Sequence, residues 1–185
     1  MDEKSLIEFA KICGKLKRTL RTGWVNRKVR NPESVAEHSW RAAVLCLVLA
    51  DKNLDKNKLV KMAVVHDLEE ALTGDIITKE KEANAEVSKR NAAEAMKKIS
   101  AVIGGAEGKE IFELWEDYEN TESEEAKFLS DVEKLEMLIQ AYEYGKVQPD
   151  RKEILGDFFS RTASKIKNPK IIKILDALLK MKNIS

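Results

Sequence analysis

Glycine and proline are scarce in this chain of 185 residues, at 8 and 3 positions, and aromatic residues make up only 6%. So few turn-formers exclude a collagen-like repeat and argue against a turn-rich all-β fold. Disorder is a poor fit as well, because 43% of the residues are hydrophobic and can build a core. An excess of one charge is also missing: 33 Lys and Arg face 32 Asp and Glu, for a net +1. No global field therefore draws the protein to nucleic acid or to an anionic membrane, and any ligand must be held locally. The longest apolar run, Ala42 to Ala50, is nine residues, too short to cross a bilayer. The chain opens on Asp2 and Glu3, where a secretory signal would be basic. Only Cys13 and Cys46 carry thiols, both in apolar stretches. They suit small buried hydrophobes in a reducing compartment, so a cytoplasmic location is expected. Histidine is the scarcest informative residue, with only His38 and His66, which excludes a His-rich metal cage.

What the chain does have is helical periodicity. Its length fits one domain over residues 1–185, of all-α class. Helices are expected at 3–21, stopped by Gly23; at 34–51, opened by a Ser34/Glu37 capping box; and at 56–72, stopped by Gly74. Further helices are expected at 84–102, at 109–119, at 152–165 and at 169–182, and a long one runs to Tyr144 behind a Thr121/Glu124 capping box. The C-terminal helix packs on a motif-bearing part of about 5–165 in this reading. Ile111, Leu114, Trp115 and Tyr118 read as core or as a dimer contact. Between Gly74 and the fourth helix, Asp75-Ile76-Ile77-Thr78 is unusually apolar for an exposed loop and is expected to line something.

Ionisable residues fall on faces that should be apolar. His38 lies between Val35 and Ala42 in the stripe of its helix, and His66 follows Leu59, Met62 and Ala63 in the same way. Asp67 and Glu70 adjoin His66 on the expected helix face. Asp131 falls three residues after Phe128 and four before Leu135. Taken singly, an inward His is usually a hydrogen-bonded core residue and an inward Asp usually has a Lys or Arg partner. Taken together, two imidazoles and two carboxylates are satisfied at once by one divalent cation. That ligand set suits Zn, Mn, Fe, Co or Ni better than Ca or Mg.

These residues carry a resemblance. His38, His66-Asp67 and Asp131 resemble the H…HD…D signature of the HD-domain metal-dependent phosphohydrolases. RTGW at 21–24, PESVAEHSW at 32–40, HDLEEALTGD at 66–75 and SDVEKLEMLIQAYEYG at 130–145 resemble, more closely, its 5′-deoxynucleotidase branch. The resemblance implies an HD-domain helical bundle that removes phosphate from (deoxy)ribonucleoside 5′-monophosphates with water that a metal ion activates, and it suggests a homodimer. Carried over residue by residue, it makes His38, His66, Asp67 and Asp131 the metal ligands, with Asp67 and Asp131 also facing substrate. Glu70 becomes the acid/base residue, and Asp75 helps to place substrate and nucleophile. Ile76, Ile77 and Thr78 match the nucleotide-binding segment, and Trp24 matches an aromatic that packs on the sugar and disfavours a 2′-hydroxyl. In the bacterial branch an Arg precedes that Trp and orients phosphate; here Gly23 stands there, and Arg21, Arg27 or Arg30 must take over, Arg21 being the one assigned. The alternatives are another reaction on the same fold, such as guanosine tetraphosphate hydrolysis or cyclic-nucleotide phosphodiester cleavage, and a non-catalytic helical interaction module.

Overall fold

The computed structural model describes residues 2–77 and 84–184, the side chains of 152–154, 157 and 182–184 excepted. Among the described residues there is no strand, only an isolated antiparallel bridge between Leu20 and Ser34. Helix α1 (Glu3–Leu16) starts where the Asp2 side chain accepts from the Ser5 N–H. A one-turn helix α2 (Thr22–Asn26) follows in place of the expected loop. Helix α3 (Val35–Leu49) has the expected reciprocal cap, Ser34 and Glu37 each accepting the other's backbone N–H.

Helix α4 (Lys56–Val65) is capped by Asp55. It does not continue to residue 72 as the periodicity predicts. The chain tightens at residues 66–69, where Leu68 N–H bonds Val65 C=O and Glu70 N–H bonds Asp67 C=O, before a short helix α5 (Glu70–Thr73). Three-residue bonds of this kind overwind a helix and re-aim its side chains. Gly74 then turns the chain with φ of 76°, a conformation that a side chain resists.

Helices α6 (Ala85–Ile103) and α7 (Gly105–Asn120) form a hairpin about Gly104. Thr121 does not cap the next helix. It ends α7 in the left-handed region, and Ser123 caps α8 (Glu124–Val147) by accepting from Ala126 N–H. A 3-10 turn (Pro149–Arg151), α9 (Lys152–Ala163) and α10 (Pro169–Ile184) complete the order. Helix α8 is the axis, packed by α3, α4, α7, α9 and α10. Its buried residues include Phe128, Leu129, Val132, Leu135, Leu138, Ala141 and Tyr144, which point in several directions around the helix. Leu114 and Trp115 are core residues, and Ile111 and Tyr118 are half-buried against them.

Candidate metal centre

The site is assembled where α3, the 66–69 turn and α8 meet. Both imidazoles are fully buried and their ring centroids lie 5.5 Å apart. His38 Nδ1 is 2.5 Å from Glu136 Oε2; a carboxylate only accepts, so Nδ1 carries the proton. His66 Nδ1 donates to the Ala63 carbonyl at 2.9 Å. In each ring Nε2 is thereby the nitrogen left for a ligand, and both Nε2 atoms are buried without a hydrogen-bond partner. They converge on one oxygen: Asp67 Oδ2 is 3.3 Å from His66 Nε2 and 3.9 Å from His38 Nε2.

Two unpartnered buried nitrogens beside a carboxylate fit a divalent cation, with ligand atoms from His38, His66 and Asp67 all within 4.8 Å of one another. Burial opposes charge on His66, but Asp67 and Glu133 outweigh it and raise the imidazole to about 9. Burial likewise works against the Asp67 carboxylate, and His66, Arg21 and His38 together hold it well below its usual range.

Around this trio the side chains are organised in a shell. Glu136, fully buried, is held by Arg41 Nη2 at 2.6 Å as well as by His38. Burial raises Glu33, and the neighbouring Glu136 raises it further. Arg21 reaches Asp67 Oδ2 at 3.2 Å and Asp75 Oδ1 at 3.7 Å, with Nη2 3.3 Å from Met137 Sδ. Burial disfavours its charge, and Asp67, Asp75, Glu133 and Glu70 restore it. Of the three arginines open to the phosphate role, Arg21 alone enters the site. Arg27 lies over the Phe158 ring at 4.6 Å, and Arg30 pairs with Asp150 at 3.2 Å.

Glu70 is buried and clusters with Asp67 and Glu69; Glu69 accepts from Trp115 Nε1 at 2.9 Å. Glu70 also lines a cavity of about 210 Å³ with Glu69, Thr73, Gly74, Ile76 and Lys89. Asp75 is committed to positioning: it accepts from the Thr22 N–H, receives the Thr22 hydroxyl on its carbonyl at 2.7 Å and faces Arg21. Ile76 lines the cavity, Ile77 is half-buried, and Thr78 lies outside the described residues.

The structure sets two of the assigned residues among other partners. Asp131 stands apart from the histidines: its Oδ2 accepts from the Lys167 and Asn168 N–H groups at 2.9 and 2.6 Å, just ahead of α10. Asp131 thus faces the segment ahead of α10. The site lies around the helix, where Glu136 meets His38 and Met137 meets Arg21. Glu133, one turn before both, belongs to that face: it accepts from the Tyr118 hydroxyl, and the Tyr118 ring stands edge-on to His66 at 5.1 Å. Trp24 is 2% exposed, donates to Glu33 at 2.8 Å and packs edge-on against Phe158 and Tyr144. It anchors α2 on the core and offers no face to a sugar.

A helical bundle that buries an HD pair against a second histidine defines the class, and the chain belongs to the HD domain family, whose model matches residues 13–174. Among curated proteins the chain is 41% identical over 177 residues to 5′-deoxynucleotidase HDDC2 of Homo sapiens, covering 95% of this chain and 85% of that protein. It is 43% identical over 178 residues to the 5′-deoxynucleotidase HDDC2 of Dictyostelium discoideum, with 88% and 90% covered. Among solved structures, a conserved hypothetical protein from Pyrococcus furiosus superposes with a TM-score of 0.76 at 30% identity, covering 94% of this chain and 99% of that one.

Proposed function

We propose that this chain is a metal-dependent 5′-nucleotidase that removes phosphate from deoxyribonucleoside 5′-monophosphates. The observation that carries this reading is the convergence of two unpartnered imidazole nitrogens on Asp67 Oδ2, with Glu70 and Arg21 beside them, in a chain 41% identical to a curated 5′-deoxynucleotidase. His38, His66 and Asp67 would hold the ion, and Glu133 replaces Asp131 as the carboxylate that α8 contributes. A divalent transition metal (Co, Mn, Zn, Fe or Ni) bound there would supply charge neutralisation for the phosphate and water that ionises near neutral pH.

The chain's own residues do the rest. Glu70, buried at the edge of the cavity, accepts a proton from the attacking water. Arg21 directs its remaining N–H donors at the nonbridging phosphate oxygens, while Asp75 fixes its direction. Ile76 gives the nucleoside an apolar wall. Asp75, already engaged by donors, acts as a positioning residue and water protonates the departing nucleoside. The free thiols of Cys13 and Cys46 fit a cytoplasmic enzyme.

A nucleotide panel tests this reading. Protein loaded with Mn or Co is expected to release inorganic phosphate from dAMP, dGMP, dCMP and dTMP, with Glu70→Ala retaining metal and losing about 10²-fold or more in turnover. Release of pyrophosphate from guanosine tetraphosphate, or opening of a cyclic nucleotide, without phosphate from any monophosphate would overturn it.

A further inference from the structure

Helix α7 ends beside the metal centre and has no part in the chemistry assigned above. Its C-terminal half presents two aromatic side chains with polar tips. Trp115 and Tyr118, three residues apart, share one face of the helix. The Trp115 indole donates to Glu69 at 2.9 Å, and the Tyr118 hydroxyl donates to Glu133 Oε2 on α8. The Tyr118 ring stands edge-on to His66, with centroids 5.1 Å apart and planes at 79°. One side chain thus touches both a histidine of the HD pair and the acidic residue from α8.

Tyr118 is itself held in place. Its carbonyl accepts from the Thr121 N–H as α7 ends in the left-handed region. Next to it, Asp117 pairs with Lys58 of α4 at 2.7 Å and accepts from the Ser123 N–H, just ahead of α8, at 2.9 Å. The end of α7 is therefore tied to both neighbouring helices. Burial raises the phenol well above its ordinary value, and Glu133 and Asp67 raise it further, so the hydroxyl is a donor near neutral pH.

We propose that Tyr118 is a positioning residue of the metal centre: its hydroxyl holds Glu133 Oε2 and leaves Oε1 as the ligand atom. A glutamate has three rotatable bonds, and ordering them at the moment of binding weakens affinity. A phenol that orders the side chain beforehand removes that cost. Glu136 does the same for His38, and the Ala63 carbonyl for His66. The proposal rests on Glu133 as the carboxylate that α8 gives to the ion.

Tyr118→Phe keeps the ring against His66 and removes only the hydroxyl. Titration of the full chain with Co, followed by calorimetry and visible absorption, is expected to show affinity about 10-fold weaker than wild type. The Co spectrum should change while the helical circular dichroism signal stays the same. Glu133→Ala should also weaken binding, and adding Tyr118→Phe to it should cost at most about twofold more, because the hydroxyl then has no carboxylate to hold. A residue that only supports the fold would cost the same in both backgrounds. Wild-type affinity and spectrum in Tyr118→Phe, or an equal loss with and without Glu133, overturns the proposal. Phosphate release from dAMP is read on the same samples. A wild-type chain that binds Co but releases no phosphate contradicts the nucleotidase reading alone, and the affinity comparison still decides Tyr118; one that binds no Co overturns both.

Discussion

Imidazoles that face a metal need their other nitrogen held, and here each is held differently. His66 uses the Ala63 carbonyl, whereas His38 uses Glu136, which Arg41 fixes in turn. A carboxylate behind a ligating histidine sets the tautomer and strengthens the donor. Glu136→Gln is therefore expected to weaken metal affinity by about 10- to 100-fold with little change in fold, as metal titration followed by calorimetry would read. An unchanged affinity would reduce Glu136 to a structural partner of Arg41. The two acidic residues of α8 separate in the same way. Glu133→Gln should lower metal affinity. Asp131→Ala should keep the metal and lose about 1–2 kcal/mol of stability in urea, because two N–H groups ahead of α10 lose their acceptor.

At the scale of elements, the sequence made some features legible and concealed others for physical reasons. The Ser34/Glu37 cap was readable because capping is local chemistry, and His38, His66 and Asp67 were readable as polar residues on apolar faces. Asp131 misled because α8 is buried on several sides, so membership of an apolar stripe does not say which neighbour the stripe faces. Glu133 left no signal, since a Glu off the main stripe looks like a solvated surface residue. The break at residues 66–69 was hidden too: helical spacing continues through it, and only the three-residue backbone bonds show the tightening. Trp24 depended on where α2 docks, which involves Phe158 and Tyr144, more than a hundred residues away.

The α6–α7 hairpin offers a sharper test of packing. A Cβ on Gly108 would lie 2.5 Å from the Ser100 carbonyl oxygen, whereas one on Gly14 in α1 meets nothing within 4 Å. Gly108→Ala should destabilise the protein by about 1–3 kcal/mol, and Gly14→Ala should stabilise it by about 0.5–1 kcal/mol, in thermal or urea unfolding. Equal effects would contradict the close approach of the two helices.

Over the whole molecule, a near-neutral charge leaves recognition to one buried centre. Helices from distant parts of the chain supply it: His38 comes from α3, His66 and Asp67 from the turn after α4, Glu133 and Glu136 from α8, and Arg21 from the segment before α2. The long central helix fixes these contributions relative to one another, and the HD pair sits at a point where the backbone leaves regular helix. A metal held there would join segments that the core has already brought together.

The most direct measurement is metal stoichiometry with phosphate release on one preparation. Protein stripped with chelator and then titrated with Mn or Co should release no phosphate from dAMP at first, and should regain activity in proportion to the ion bound, reaching a plateau at one ion per chain. A His66→Ala, Asp67→Ala variant that stays helical should bind no ion at this site and stay inactive. Full activity in the stripped protein, or an unchanged plateau in the double variant, would contradict the account.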